Sequence, residues 1–246
     1  MFVLLHAFPV NSSLYDDVRA SLSDVCELIT PDLAGFGETA CSEAEPSLDV
    51  YADDVIALLD DQGIEQAVVG GTSMGGYVAM ALARRNPERI TALVLADTKA
   101  TADTPDARAN RLAVAEQVLA AGSTVVLARA MLPNLLGATT HESRPDVVER
   151  VRAWIESADP RAVAWAQRAM SARPDSLDHL ASFEGPTLVV WGDEDAISSR
   201  AEQEFMRSAL VDVEFVTLPG AGHLSAVEDP TAFVAAVMAF LRRLGN

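Results

Sequence analysis

Short and almost uninterrupted apolar runs recur along the 246-residue chain, and segments with helical spacing separate them. Runs that lack polar alternation are typical of strands covered by helices on both faces, so they predict a mostly parallel β-sheet. The predicted strands lie at residues 2–6, 26–31, 67–71, 92–96, 187–192 and 213–218.

The segments between these runs carry apolar residues at intervals of three and four. One stripe starts at Leu14, a second ends at Gly63, and a third stops before Pro87, since proline disfavours helix in the residue that precedes it. A last helix is predicted to begin at Asp229 and Pro230, a favourable N-cap and first-turn pair.

The alternation of strand and helix breaks between about Lys99 and Phe183, where the sequence predicts helices alone. Such a helical insertion between two parallel strands indicates a cap over the carboxyl edge of the sheet, where open α/β sheets bind their ligands. The predicted cap helices are 105–121, 123–132, 145–157 and 160–172. We therefore expect a core made of residues 1–98 and 184–246, with a helical cap at 99–183.

Composition narrows the classes of partner. The chain has 18 Lys and Arg residues against 36 Asp and Glu, a formal charge of −18, which argues against nucleic acid or an anionic membrane surface as partners. No apolar run approaches the roughly 18 residues that a bilayer-spanning helix needs. Two cysteines, Cys26 and Cys41, favour a reduced, cytoplasmic protein, although a single bridge between them stays open.

The stretch GGTSMGG at residues 70–76 is the first candidate for chemistry. An apolar run enters it and an alanine-rich helical pattern leaves it, so it is a strand-to-helix turn with Ser73 at its centre. In the pattern Gly-Thr-Ser-Met-Gly the outer glycines allow the two backbones to approach, which holds the serine exposed at a helix start as a nucleophile elbow. A phosphate-binding P-loop is excluded, because no Gly-Lys-Ser/Thr follows.

A serine hydroxyl needs a base to remove its proton. Of the four histidines, His223 lies between the last strand and the last helix, at the carboxyl edge beside Ser73, and is the expected base. His6 lies on the first strand, where we expect a structural role. His141 and His179 fall in the predicted cap, where surface or packing roles are expected.

The base in turn needs a carboxylate that fixes its orientation. Asp193, Glu194 and Asp195 directly follow the predicted strand at 187–192, and Asp97 follows the preceding strand as a rival. From position alone any of these four could serve. The resulting order along the chain is Ser, acid, His.

That order and four motifs resemble the α/β-hydrolase superfamily over essentially the whole chain. The motifs are HAFPVNSSLYDDV at the start, PDLAGFGET at 31–39, GTSMGG at 71–76, and the pair GDEDAISS with GAGHLSAVEDP. The resemblance implies the α/β-hydrolase fold: a mostly parallel sheet flanked by helices, with an inserted helical cap. In such proteins the acid lies three residues after the glycine at the strand end, which here implicates Asp195.

The resemblance also implies a reaction. Ser73, His223 and Asp195 would form a catalytic triad, and the backbone N–H groups of Phe8 and Met74 would form the oxyanion hole. The implied activity is that of a serine hydrolase of small esters or lactones, similar to 3-oxoadipate enol-lactonases, small carboxylesterases and cofactor-free haloperoxidases. No metal or cofactor is implied, and the implied partner is a small ester or lactone substrate.

Three alternatives use the same residues. Carbon–carbon bond hydrolases of this superfamily keep the serine, and perhydrolase or haloperoxidase-type activity can arise from the same triad. A receptor-like protein with a slow triad would bind a ligand without repeated turnover. Epoxide hydrolases and haloalkane dehalogenases are excluded, because they carry Asp where this chain has Ser73.

Overall fold

The computed structural model describes residues 1–245, in which six parallel strands form one sheet with the spatial order β2-β1-β3-β4-β5-β6. The prediction of a mostly parallel sheet is therefore confirmed. The strands are β1 (Phe2–Leu5), β2 (Leu28–Ile29), β3 (Ala67–Thr72), β4 (Ile90–Ala96), β5 (Thr187–Gly192) and β6 (Val213–Leu218).

Two layers of helices cover the sheet. In one layer α1 (Asp16–Ser23) packs against α11 (Ser225–Glu228) and α12 (Pro230–Leu244). In the other, α2 (Leu48–Asp61) packs against α3 (Met74–Arg85), which also contacts β1, β3 and β4. Because the central strands are covered on both faces, the side chains of β1 and β5 are entirely buried.

Residues 99–183, which lie between β4 and β5, contain helices and no strand within the described chain, and we call this segment the insertion. Helices α4 and α8 form its largest helix pair, and α5 packs on α7. The helix expected to end at residue 132 continues through Pro133 to Leu135. The insertion contains α4 (Pro105–Ala121), α5 (Val125–Leu135), α6 (Ala138–Ser143), α7 (Pro145–Ser157), α8 (Pro160–Ser171) and α9 (Leu177–Ser182).

One further helix, α10 (Arg200–Ala209), connects β5 to β6 and packs against α9 and β5. Both cysteines, Cys26 and Cys41, are free thiols. Within residues 1–245 no helix combines the length and apolar character that crossing a membrane requires.

The strand order reverses direction next to β1, because the chain moves outward from β1 to β2 and then returns to β3 on the other side. In open parallel sheets ligands bind at the carboxyl edge beside such a switch point. Register places Leu5 opposite Gly71, so the ends of β1 and β3 lie side by side there.

Candidate active site

Ser73 lies between the end of β3 and the first residue of α3, with φ 56° and ψ −112°. A positive φ is uncommon for a residue with a side chain and is retained only where the surroundings enforce it. Three hydrogen bonds hold the turn: Ser73 N–H donates to Ala96 O (2.9 Å), Thr98 Oγ1 donates to Ser73 O (2.8 Å), and Tyr77 N–H donates to Ser73 O (3.2 Å).

The glycines around Ser73 are required by close backbone contacts. A Cβ on Gly71 would overlap the backbone of Gly75, and a Cβ on Gly75 would overlap the carbonyl group of Leu5. Gly70 and Gly76 are also crowded, by the side chains of β4 and Thr98 respectively. The sequence interpretation of this stretch as a tight strand-to-helix turn is therefore confirmed.

The structure brings His223 to Ser73. The Nε2 atom of His223 lies 2.7 Å from Ser73 Oγ, and its Nδ1 lies 2.8 Å from Asp195 Oδ2. These partners fix the neutral tautomer: Nδ1–H donates to the carboxylate, and Nε2 accepts the serine proton. The imidazole is almost fully buried, at 2% exposure.

Asp195 is held in the turn after β5 by a set of donors. Its Oδ1 accepts from the N–H groups of Ile197 (2.7 Å) and Ser198 (3.0 Å), and its Oδ2 accepts from the hydroxyl of Ser198 as well as from His223. Such saturation of a carboxylate fixes its orientation and favours its charged form.

The charged forms of Asp195 and His223 stabilise each other. Burial disfavours ionisation of Asp195, but the positive charge of His223 and the hydrogen bonds from His223 and Ser198 outweigh it and hold the pKa of Asp195 below its usual range. Burial likewise opposes protonation of His223, yet the charge and hydrogen bond of Asp195 raise the pKa of His223 above the ordinary histidine value. The site therefore stabilises an imidazolium at His223.

The other acidic residues of the turn after β5 form hydrogen bonds with groups other than His223. Asp193 accepts from Gly220 N–H at 2.7 Å, and Glu194 accepts from the N–H (2.8 Å) and hydroxyl (2.7 Å) of Thr139 at the start of α6. His141 and His179 are exposed on the insertion, away from this hydrogen-bonded set. Of the candidates on the β5 turn, Asp195 is the one bonded to His223.

Phe8 and Met74 are the proposed oxyanion donors, and both lie at the carboxyl edge. Met74 begins α3 directly after Ser73, and Phe8 follows β1, the neighbour of β3. Across residues 1–245 neither N–H group donates to a protein acceptor. The Met74 N–H, at the start of α3, is suited to bind a developing negative charge, and the Phe8 N–H lies in the turn after the neighbouring strand β1.

His6 supports the loop that carries Phe8. Its Nδ1 lies 2.9 Å from Ala7 O, its Nε2 accepts from Leu33 N–H at 3.0 Å, and its ring packs edge-on against Phe36. Full burial lowers the pKa of His6 to about 4, so the ring is neutral at physiological pH. The expected structural role of His6 agrees with these contacts.

Sequence reasoning missed two supports of the site, Ser198 and Glu228. Glu228 Oε1 accepts from Leu224 N–H (3.0 Å), while its Oε2 accepts from Gly137 N–H (2.7 Å) and Thr140 Oγ1 (2.7 Å). The backbone N–H of His223 also donates to Leu135 O. The His223 loop and the insertion are therefore joined directly, a contact between segments far apart in sequence.

The comparison with protein families gives one match across most of the chain. The sequence model of the alpha/beta hydrolase family matches residues 2–237. A relative named 3-oxoadipate enol-lactonase 2, from Acinetobacter baylyi, is 29% identical over 242 residues, which cover 98% of this chain and 88% of that protein.

Solved structures give the same picture. A thermophilic esterase from Thermogutta terrifontis is 39% identical, with a TM-score of 0.97 and coverage of 100% of this chain and 90% of that chain. The enol-lactonase from Burkholderia xenovorans LB400 is 27% identical, with a TM-score of 0.90 and coverage of 98% and 91%. Sequence and structure comparisons thus agree on the fold and on its family.

Proposed function

We propose a reaction for this chain on the premise that it belongs to the alpha/beta hydrolase family. It is a serine hydrolase that cleaves a small carboxylic ester or lactone through an acyl-enzyme intermediate. Ser73 is the nucleophile, His223 the general base and acid, and Asp195 the carboxylate that orients His223. The N–H groups of Phe8 and Met74 form the oxyanion hole.

In the first half-reaction Ser73 Oγ attacks the ester carbonyl carbon while its proton moves to His223 Nε2. The carbonyl oxygen becomes an oxyanion that accepts hydrogen bonds from Phe8 and Met74 N–H, and Asp195 stabilises the imidazolium. Collapse of the tetrahedral intermediate breaks the bond to the alcohol oxygen. His223 Nε2 gives its proton to that oxygen, and the acyl group remains on Ser73.

In the second half-reaction water repeats the sequence. His223 Nε2 takes a proton from the water as its oxygen attacks the acyl carbon, and the oxyanion returns to the same two N–H groups. Breakdown of this intermediate returns the proton to Ser73 Oγ and releases the carboxylic acid. For a lactone, acid and alcohol leave as one hydroxy acid.

One observation carries this proposal: the uninterrupted hydrogen-bonded series from Asp195 Oδ2 through His223 to Ser73 Oγ, with contacts of 2.8 and 2.7 Å. The pKa directions agree with it, because they favour charge on His223 while Asp195 remains ionised. The esterase and enol-lactonase names of the similar proteins support ester or lactone substrates.

We further propose that the insertion, residues 99–183, caps the site and limits the size of the substrate. A cavity of about 270 Å³ lies between the residues that follow Phe8 and helix α7 of the insertion, with Phe36 and Trp154 in its walls. Of the described residues that line it, none is Lys or Arg, while Asp159 is acidic. This cavity is not lined by Ser73, His223 or Asp195. The support for a cap is the bonding of Leu135, Gly137 and Thr140 of the insertion to the His223 loop and to Glu228.

The substitution Ser73→Ala tests the nucleophile. Hydrolysis of p-nitrophenyl acetate and butyrate should fall by about 10⁵-fold, or to background, while the circular dichroism spectrum is unchanged. Ser182→Ala, which alters an exposed serine of α9, is the matched control and should keep wild-type turnover. Retention of more than a hundredth of wild-type turnover in Ser73→Ala would reject Ser73 as nucleophile.

A substrate panel tests the reaction class. Esters, lactones, thioesters and β-diketones are assayed with wild type and Ser73→Ala, together with perhydrolysis in peroxide and acetate. Multiple turnovers on esters or lactones are expected to exceed those on the other classes. Preference for a β-diketone would assign a carbon–carbon hydrolase, and one acylation of Ser73 without turnover would assign a receptor-like protein.

A further inference from the structure

Asp97 is a fully buried carboxylate at the end of β4, with φ 45°. Its backbone N–H donates to Val190 O at 2.9 Å, which fixes it beside β5. Asp97 was the rival candidate for the orienting acid, but the oxygen bonded to His223 Nδ1 belongs to Asp195. The role of a second buried carboxylate at this edge thus needs a separate explanation.

The carboxylate of Asp97 bridges the two loops that carry the acid and the base. Its Oδ1 accepts from Gly192 N–H at 3.0 Å, three residues before Asp195. Its Oδ2 accepts from Ser225 N–H at 3.0 Å, two residues after His223. Since an ionised carboxylate is purely an acceptor, it satisfies both N–H groups at once.

We propose that Asp97 is a positioning residue, which holds the Asp195 turn and the His223 loop in register through Gly192 and Ser225 and adds a second negative charge beside the imidazolium. This inference rests on the proposed function, because it assigns His223 as the base. It differs from a role as the orienting acid, since Asp97 acts through backbone groups and through charge.

The charged groups around His223 agree with this assignment. Asp195, Asp97 and Glu228 each raise the pKa of His223, against the effect of burial. Burial and the charge of Asp195 raise the pKa of Asp97 to about 7, while the charge of His223 and the hydrogen bonds from Ser225 and Gly192 favour its ionised form. The phenol of Tyr15 also lies within electrostatic reach of Asp97. An imidazolium at His223 therefore balances two carboxylates that would otherwise repel each other.

The substitution Asp97→Asn separates charge from shape. An amide of the same size presents N–H donors to one of the two backbone N–H groups and carries no charge. A displacement of about 1 Å between base and nucleophile is enough to lower kcat/KM by about 100-fold, which is the loss expected here. Loss of the charge should also move the rising limb of the pH profile of kcat/KM to lower pH.

Asp175→Asn is the matched control. Asp175 is exposed and likewise accepts from two backbone N–H groups, Ala102 (3.2 Å) and Leu177 (2.9 Å), outside the site. Its substitution should leave kcat/KM within about twofold of wild type and the pH limb unmoved. A merely structural effect of Asp97→Asn would lower kcat/KM equally at every pH, and an unmoved limb overturns the proposal.

Two further measurements keep the result decisive. If Asp97→Asn does not fold, the ¹H chemical shift of His223 Nδ1–H is followed against pH in the wild type. Two ionisations, of His223 and of Asp97, are expected, and a single ionisation overturns the proposal. Ser73→Ala is assayed alongside. Full activity in Ser73→Ala would reject the proposed function, whereas an inactive Ser73→Ala beside an unmoved limb in Asp97→Asn rejects only the role of Asp97.

Discussion

At the scale of single residues, Ser73 adopts a backbone conformation that its own side chain disfavours, at a cost of order 1–3 kcal/mol. The surrounding contacts outweigh this cost. Gly71 and Gly75 let strand and helix meet without a Cβ between them, and Thr98 holds the Ser73 carbonyl group. The result is a hydroxyl fixed at 2.7 Å from His223 Nε2 before any substrate arrives.

The pKa of His223 leads to a prediction for the pH dependence of catalysis. A general base must be neutral, and Asp195 raises the pKa of His223 despite its burial. The rate therefore rises with pH, with a midpoint above about 6.5, and falls about tenfold per pH unit well below the midpoint. The measurement is kcat/KM for p-nitrophenyl acetate between about pH 5 and pH 8.5; a midpoint below about pH 6.5 would contradict a raised pKa of His223.

Ser73, His223 and Asp195 could be proposed from sequence because each lies in a short motif with a fixed place relative to a strand end. Sequence alone left Asp97, Asp193 and Glu194 as rivals to Asp195. Ser198 and Glu228 were not found, because their hydrogen bonds join loops that only the folded chain brings together. The residues proposed to bear the chemistry are thus easier to identify from sequence than the residues that hold them in place.

At the scale of elements, prediction worked best for the last two strands of the sheet. The runs at 187–192 and 213–218 match β5 and β6 in both bounds. The run at 26–31 was too long a prediction, because only Leu28 and Ile29 pair with β1 at the edge of the sheet. An apolar run therefore marks a strand without fixing how many of its residues pair with the neighbouring strand.

Several helices were not predicted. Helices α6 and α9 have six residues each, which is less than two turns and too short for a periodic stripe. Helix α10 was missed although it has a capping box formed by Ser199 and Glu202, a signal that the sequence contains. Only two of its side chains, Gln203 and Met206, are buried, and Gln203 is polar, so the helix has no apolar stripe that the sequence pattern could reveal.

His6, after β1, gives a prediction for stability in acid. Its pKa is about 4 in the folded protein because of burial, so the unfolded chain binds the extra proton between pH 4 and the ordinary value near 6.5. Stability is therefore lost as pH falls through this window, by about 2 kcal/mol from His6 alone between about pH 7.5 and pH 5.

The test compares urea unfolding of wild type and His6→Gln at these two pH values. Gln at this position does not titrate, so the variant should lose about 2 kcal/mol less than wild type on acidification, whatever its stability at neutral pH. Equal losses in the two proteins would show that His6 is not the group responsible. His179→Gln, which alters an exposed histidine, serves as the control and should behave as wild type.

At the scale of the whole molecule, one ionic cluster ties the insertion together and to the core. Asp103 pairs with Arg111 of α4 and with Arg173 (2.8 Å), which follows α8, while Lys99 reaches Glu202 of α10 at 3.0 Å. The side chains of Asp103 and Arg173 are 2% and 4% exposed. The ring of Tyr77, one turn after Ser73, lies against the Arg173 guanidinium.

Asp103→Ala should therefore destabilise the protein strongly. Removal of the carboxylate leaves Arg173 buried without its ionic partner, and a broken buried pair costs about 3–5 kcal/mol. Glu149→Ala, which breaks an exposed pair with Arg152, is the control and should cost less than about 1 kcal/mol. Urea unfolding measures both; a loss for Asp103→Ala as small as the control would show that the cluster contributes little.

The bonds from Leu135, Gly137 and Thr140 to the His223 loop and to Glu228 also bear on how members of this family could be recombined. The cut sites for exchanging an insertion would naturally be placed at its two chain ends, near residues 98 and 184. The helix start at 137–140 is, however, one half of an interface whose other half is residues 222–228. A chimaera with a foreign insertion should regain activity only when both halves are transferred together from the same parent.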